Sequence, residues 1–475
     1  METLQRIHNR GSISTGYDID NSCKFEPDNS EELYREEATA GNMRTWTISV
    51  WVKRTELSYD RAMMYSQQAY GNISFDSSNR IVVENHNLYL ITNRVFRDTS
   101  AWYHVVWVND STQSTAANRA KIYINGVQET SFSTETYMSQ NEEGKVNTGG
   151  AGSTGRTYIG RDSGAAKFFA GYIAEFYKID GTALAPTVFG EFDSDSGIWI
   201  PKEYIPASWG TQGNYLDFSN SGSLGTISGN GDNYYLTNIS AADQATDTPT
   251  NNFCTLNPIF TGFQSTVKLP LNGATQYGLS GGNQDLSYAG TMGVTKGKWY
   301  FENYINEVVS TYGARIYVGF HTFQQDYDGV QVGASTNGDA LAVWQLNDGN
   351  YVAWNGGSRS ITGSLGTVDS SGAGKFVGIA LNLDDNQISF YYDGSAVTNG
   401  TNLALYNMGT QTDAGTFAIP VVQTKGSIQT ANFGGYIPSN FISSAASDEN
   451  GYGTFEHAPP SGYYALCTKN LAEFG

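Results

Sequence analysis

Basic charge is scarce in this 475-residue chain: 27 lysines and arginines stand against 46 aspartates and glutamates, a formal net charge of −19 at pH 7. No basic block interrupts the deficit, so bulk electrostatics opposes binding to nucleic acid or to an anionic membrane surface. Cysteine is nearly missing. Cys23, Cys254 and Cys467 are odd in number and widely separated, which excludes a disulfide framework or a paired metal motif and leaves buried free thiols as the expectation. Long apolar runs are missing too. No stretch approaches a membrane span, and Met1 to Ile13 lacks the apolar core of a signal peptide. The expected history is synthesis in a cytoplasm without a cleaved leader. Long amphipathic helical patterns are equally hard to find.

Glycine, at 54 residues, and aromatic side chains, at 13%, are what the chain has in quantity, while only 15% is charged. That is the mix of many short strands joined by Gly, Asn, Asp and Ser turns. Two distant hairpin phrases organise it. In Ala101–Gln128 the run W-Y-H-V-V-W-V is answered by K-I-Y-I-N-G-V, where Ile122 and Ile124 alternate with Lys121 and Tyr123 before a reversal at Asn125-Gly126. In Gly374–Val397 the residues Val377, Ile379, Leu381 and Leu383 share one side, and Ile388, Phe390 and Tyr392 answer them across a turn at Asp384–Asn386. Each hairpin predicts long antiparallel strands with one packed face. Two of them, so far apart, predict two separate cores in an all-β chain of two antiparallel β-sandwich, jelly-roll-type domains.

The remaining phrases fill in the plan. Residues 1–20 are polar and aperiodic and read as an N-terminal docking arm held by other subunits. The first sandwich spans 21–200, with Trp46, Ile48, Val50 and Val52 on one face of T-W-T-I-S-V-W-V-K-R. A Gly/Asn/Ser-rich connector, 201–260, holds strands around Tyr215–Phe218 and Tyr234–Leu236, since apolar residues keep recurring in it. The second sandwich spans 261–440. The tail, 441–475, carries Tyr463, Tyr464 and Leu466 and is too apolar to hang free, so it should pack back on the body.

These phrases resemble known families. The W-T-I-S-V-W-V-K strand, the Trp102 hairpin and the close Y-I-G-R…F-F-A-G-Y-I-A-E-F-Y-K-I-D-G are similar to a laminin-G/pentraxin-type jelly roll of the concanavalin-A-like class, over about Ser22–Pro201. The phrases G-K-W-Y-F-E, Y-V-G-F, I-S-F-Y-Y-D-G and A-N-F-G resemble the SPRY module, over roughly Trp299–Gly434. The order of laminin-G-like module, D-x-T-P-T-N-N-F connector and second sandwich resembles large virion proteins of tailed bacteriophages of the marine type, notably tail fibres. The resemblance implies a fold used for carbohydrate or protein recognition, sometimes with calcium, and a virion location. Fold alone does not give activity.

Catalytic chemistry is hard to assemble from the sequence. A retaining glucan hydrolase needs carboxyls about 5–5.5 Å apart on one strand face, and the E-x-D-x-E pattern that supplies them is absent; Glu191–Asp195 comes nearest but lies in a Gly/Ser loop. Glu302 and Glu307, at odd spacing, should face opposite ways. No G-x-S-x-G elbow, histidine metal pair or phosphate loop is present among the motifs, and His104 reads as a core or interface residue. No cofactor is expected, with Ca2+ the one candidate, at Asp193 and Asp195 in a Gly-containing loop or near Asp328. The candidate ligand-binding residues are Tyr327 and Asp328 together with Trp344, Tyr351 and Trp354 around L-N-D-G-N, where flat rings sit beside amide and carboxylate side chains as sugar recognition requires.

The resulting expectation is a non-enzymatic phage virion protein, a tail fibre or other exterior appendage binding host-surface glycan or a protein receptor. A capsid- or tail-associated protein cementing neighbouring subunits is the alternative, and a glycan hydrolase a third. Partners are other virion proteins through the arm, the host cell surface, and further copies of the chain, a trimer if it is a fibre.

Overall fold

The computed structural model describes residues 16–475 apart from 59–61, 68–69, 153–154, 263–274, 277–285, 309–314, 323–340, 347–348, 356–357, 368–371, 406–416, 426 and 438–440. The described residues up to Asn251 form one compact unit and those from Asn252 another. Both are built from antiparallel sheets, and Thr468–Phe474 is the one α-helix among the described residues. The protein is all-β.

The first unit stacks two sheets. One runs, in spatial order, Val127–Gln128, Ala120–Ile124, Trp102–Asp110, Thr45–Arg54, Gly171–Asp180, Ser22–Phe25 and Gln244–Ala245, with Asn214–Leu216 and Ser228–Gly229 added beside Gly171–Asp180. The other runs Phe132–Thr136, Leu88–Val95, Arg80–Asn85, Gly71–Phe75, Ala62–Gln67, Arg156–Ile159, Glu32–Glu36 and Tyr235–Thr237. The two-residue period decides which side chains meet between them. Trp46, Ile48, Val50 and Val52 from one sheet meet Leu33, Ile73, Val83, Leu90 and Ile159 from the other. Trp46 and Trp107 cross edge-to-face at 4.5 Å, the geometry that ring quadrupoles favour. The reversal after Ile124 is made by Asn125 and Gly126, both at positive φ (49° and 77°), as a tight hairpin turn requires.

The segment 201–260, expected as a connector, is divided between the two units. Its strands Asn214–Leu216, Tyr235–Thr237 and Gln244–Ala245 complete both sheets of the first sandwich, and Leu256–Gly262 belongs to the second unit. The physical reason is edge satisfaction: without them Glu32–Glu36 and Ser22–Phe25 would present unpaired backbone. Asp247, in the phrase D-T-P-T-N-N-F, closes the join. Its buried carboxylate takes Lys53 Nζ at 2.6 Å and Trp102 Nε1 at 3.0 Å, while its backbone carbonyl accepts Ser22 Oγ at 2.7 Å. The described part of the arm is tied to the same unit, because Ile19 exchanges hydrogen bonds with Thr250 Oγ1 at 3.0 and 2.9 Å.

In the second unit one sheet runs Leu256–Gly262, Leu286–Gly290, Ala418–Lys425, Arg315–Thr322, Leu341–Gln345, Asn350–Asn355 and Ser358–Ser364. The other runs Thr275–Gln276, Ser427–Asn432, Lys298–Val308, Lys375–Asn382, Gln387–Tyr392 and Ser395–Ala396. Val377, Ile379 and Leu381 face Ile316, Val318 and Val422 across the core. The tail packs back as its apolar residues require: Tyr464–Ala465 pairs in parallel with Trp299–Tyr300, and Leu466 is fully buried. Glu302 clasps the segment before it. Its carboxylate accepts the backbone N–H groups of Glu456 and His457, both at 2.9 Å. A bulge between Ile305 and Glu307 shifts the register, so Glu302 and Glu307, opposite Asn432 and Ile428, fall on the same side of the strand and not on opposite sides as their spacing suggested; Glu302 is buried under the Glu456–His457 segment and Glu307 is exposed.

Candidate functional site

Two of the residues singled out around L-N-D-G-N, Trp344 and Tyr351, lie in the core. Trp344 and Tyr351 sit opposite each other across the Leu341–Gln345 and Asn350–Asn355 strands and are 2% and 1% exposed. The Trp344 ring packs on Phe390 at 5.9 Å, with its Nε1 donating to Gly366 O, and Tyr351 OH donates to Ala404 O at 3.0 Å. Strand alternation turns both inward, and it prevails over their closeness to the turn. Trp354 lies on the same strand, paired with Leu341, and its side chain falls outside the described residues, as do Tyr327 and Asp328 altogether.

Asp193 and Asp195, the candidate calcium ligands, lie in a tight turn. Asp193 Oδ1 accepts Ser196 N at 2.7 Å, Ser196 Oγ at 2.6 Å and Asp195 N at 3.2 Å, so it shapes the turn between Gly190–Phe192 and Trp199–Pro201. No cluster of three or more histidine, cysteine or acidic groups suited to a metal occurs among the described residues.

The two outer faces of the first sandwich differ. On the sheet containing Trp102–Asp110, the outward side is roofed by later chain. Trp199 stacks on His104 at 6.0 Å and His104 on Trp51 at 4.6 Å, with Trp199 Nε1 donating to His104 Nδ1 at 2.9 Å. Burial pushes the His104 imidazole down to about 3, so it is neutral and carries its proton on Nε2 toward Ser49 Oγ. The bulge between Ala174 and Tyr177 puts Glu175 at φ +48°, where its buried carboxyl accepts Tyr215 OH at 2.6 Å, Tyr17 OH at 3.2 Å and Tyr177 OH at 3.3 Å. Burial raises Glu175 to about 7, against the pull of those phenols.

The other sheet carries a row of side chains straight across its outer face. Cross-strand register aligns Tyr235, Tyr34, Tyr158, Ser66, Asn72, Glu84 and Tyr89, one per strand. All point away from Leu33, Tyr65, Ile73, Val83, Leu90 and Ile159, which occupy the core side. Tyr235 is 53% exposed at one end, Glu84 and Tyr89 are half-buried at the other, and Ser66 in the middle is 0% exposed. Ser66 Oγ has no hydrogen-bond partner among the described residues.

Electrostatics fixes the aromatic end of this row. Tyr34 and Tyr235 stack at 5.1 Å with 21° between their planes. The Arg156 guanidinium lies 4.7 Å from the Tyr34 centroid and that of Arg161 lies 4.3 Å from Tyr158. Each arginine is neutralised by a carboxylate of the neighbouring strand, Arg156 by Glu36 at 2.6 Å and Arg161 by Glu32. Asn72 Nδ2 donates to Glu84 Oε2 at 3.3 Å further along. Tyr158, Ser66 and Asn72 are buried within the row, and the rings of Tyr235, Tyr34 and Tyr89 with the Glu84 carboxyl are what it leaves accessible to the C–H faces and hydroxyls of a sugar chain. None of these residues stood out in the sequence. The signal was there in E-L-Y-R-E, R-T-Y-I and Y-L-T, where each tyrosine sits beside an inward Leu or Ile and so must face outward.

Comparison with known proteins places part of this unit. No curated protein matches the chain. Among solved structures, the SPRY domain of human HERC1 is 19% identical, covering 33% of this chain and 92% of its own, with a TM-score of 0.21. Carbohydrate-binding module CBM66 from Bacillus subtilis is 11% identical, covering 31% and 78%, also at 0.21. Residues 34–187, which hold Tyr34, Arg156, Tyr158 and the central strands of both sheets, match the Laminin_G_3 family, described as the concanavalin A-like lectin/glucanases superfamily.

Proposed function

We propose that the protein is a non-enzymatic glycan-binding component on the exterior of a tailed-phage particle, and that the Tyr235-to-Tyr89 row of the first sandwich meets the glycan. The observation that carries this reading is the row itself, lying largely within the stretch that matches a lectin/glucanase family. Its accessible members, Tyr235, Tyr34, Tyr89 and Glu84, supply aromatic rings and hydrogen-bonding groups of the kind neutral sugars use, while Tyr158, Ser66 and Asn72 are buried between them. The lack of an E-x-D-x-E strand supports binding over hydrolysis. The virion role draws its support from the resemblance of the module order to phage structural proteins.

The test is a panel of host-surface oligosaccharides against the full chain and its Tyr34→Ala and Tyr235→Ala variants. Each variant should weaken binding about tenfold, the scale of one lost ring contact of ~1–1.5 kcal/mol. Unchanged affinity in folded variants sinks the assignment of the face. Purified protein should also adsorb to host cells and block infection; binding to virions alone would instead favour a cementing role, and release of reducing sugar a hydrolase.

A further inference from the structure

The first sandwich hides a polar knot between its sheets. Lys178, Arg35, Gln67, Thr157 and Gln212 are all at least 99% buried, and Glu37 is nearly so. Lys178 Nζ lies 3.3 Å from Gln67 Oε1, 3.0 Å from Gln212 Oε1, 3.5 Å from Thr157 Oγ1 and 3.7 Å from Glu37 Oε1. Gln67 Oε1 is held by two further donors, the Asn147 backbone N–H at 2.8 Å and the Tyr65 hydroxyl at 3.1 Å, and its amide nitrogen donates to Thr148 O at 2.9 Å. Arg35 fixes the Glu37 carboxylate through Nε at 2.9 Å and Nη2 at 2.5 Å.

An amine, a carboxylate and a polarised amide therefore share a site closed to bulk water. Fixed N–H and O–H donors on a carbonyl oxygen stabilise the charge that develops there when a nucleophile adds. Enforced proximity supplies the effective concentration that an amine and an amide lack in solution. Burial pushes the Lys178 ammonium down to about 8, so the uncharged amine is accessible near neutral pH. Gln67 is favoured over Gln212 as the electrophile. Apart from Lys178, the Gln212 oxygen is met among the described residues by Gln67 Nε2 at 3.4 Å, a longer contact than either of the two donors on Gln67 Oε1.

We propose that Lys178 and Gln67 join autocatalytically in an isopeptide bond. Lys178 passes a proton to Glu37, and the Nζ lone pair attacks Gln67 Cδ while the carbonyl electrons move to Oε1, under the Asn147 and Tyr65 donors. Glu37 then protonates Nε2 and takes a proton from Nζ. The carbonyl re-forms as the Cδ–Nε2 bond breaks. Ammonia leaves with the last proton as ammonium, so Glu37 ends as a carboxylate and no oxidant or cofactor is consumed. The product ties the Ala62–Gln67 strand of one sheet to the Gly171–Asp180 strand of the other. It would give a covalent staple to a protein whose three cysteines are all free.

Intact mass of the denatured full chain decides the matter. The wild-type protein should be one ammonia lighter than its sequence, and its digest should contain a branched peptide joining Gln67 to Lys178. Lys178→Arg should restore the full mass, and Glu37→Gln should slow or stop the loss while leaving the amine in place. If either variant fails to fold, the wild-type digest is decisive by itself, through the presence or absence of the branched peptide. Wild-type protein that keeps its full sequence mass on prolonged storage overturns the proposal, as does a branch at Gln212 in place of Gln67.

Discussion

Replacing Asp247 by alanine tests how the first sandwich is closed. The Asp247 carboxylate is the buried partner of Lys53 Nζ, and it also takes the Trp102 indole N–H. Removing it takes a carboxylate from an ammonium with 0% side-chain exposure and leaves an indole donor without that acceptor. Breaking a buried pair from one side costs about 3–5 kcal/mol, most of it from the buried charge that loses its counter-ion. For a unit of this size, with a urea m-value of ~2–3 kcal/mol/M, the midpoint should fall by roughly 1–2 M. Because the chain holds two units, unfolding should be followed by hydrogen exchange at the Thr45–Arg54 and Trp102–Asp110 amides, so that the first sandwich is read alone. The pair itself need not stabilise relative to an apolar filling. Lys53→Met combined with Asp247→Leu should therefore recover more than half of the loss. An Asp247→Ala cost under ~1 kcal/mol, or a double variant as damaged as the single one, would refute the reasoning.

Other outcomes follow from particular groups. Burial raises Glu302 from 4.5 to about 7 despite four hydrogen-bond partners. Its folded form therefore holds a proton that the unfolded chain has released, and the stability it contributes is complete below 4.5 and lost as pH rises through about 7. That window is worth ~3 kcal/mol in the second unit, and Glu302→Gln should flatten it in urea titrations taken across the same pH range. Trp199→Ala should cost about 3–5 kcal/mol by uncovering His104. The imidazole, now wetted, should titrate well above its buried value of about 3 by NMR; a value that stays put would mean that other side chains bury it. Glu175→Gln keeps the size of the buried carboxyl but not its charge, so it should reduce the fall of first-unit stability between pH 4.5 and about 7, read by the same exchange method, and leave the part due to Glu31, which burial raises to about 8.

The fold was legible wherever alternation ran unbroken. Val377, Ile379 and Leu381 are buried as their spacing requires, and Asn386 adopts the positive φ expected of the turn between those strands. Alternation also predicts that Trp344 and Tyr351 face inward, and the aromatic clustering near a turn was the weaker guide. Three features were not legible. Partners of Tyr235–Thr237 and Gln244–Ala245 lie some two hundred residues earlier, and local pattern carries no pairing information over that distance. The bulge at Glu175 shows only as a change of phase, from inward Ile173 to inward Phe176, inside a strand that is apolar on both faces. The Tyr235-to-Tyr89 row exists only once register has brought seven separate strands side by side.

That late pairing has a consequence for synthesis. Ser22–Phe25 and Glu32–Glu36 are among the first strands to emerge, yet the neighbours that seal them, Gln244–Ala245 and Tyr235–Thr237, are among the last of their unit. A nascent chain must hold two raw edges open until Asn251 has been translated, and a recombinant fragment cut at Pro201 would keep them open for good, inviting strand-to-strand aggregation. Expression boundaries drawn after Asn251 should yield soluble material where boundaries at Pro201 yield inclusion bodies.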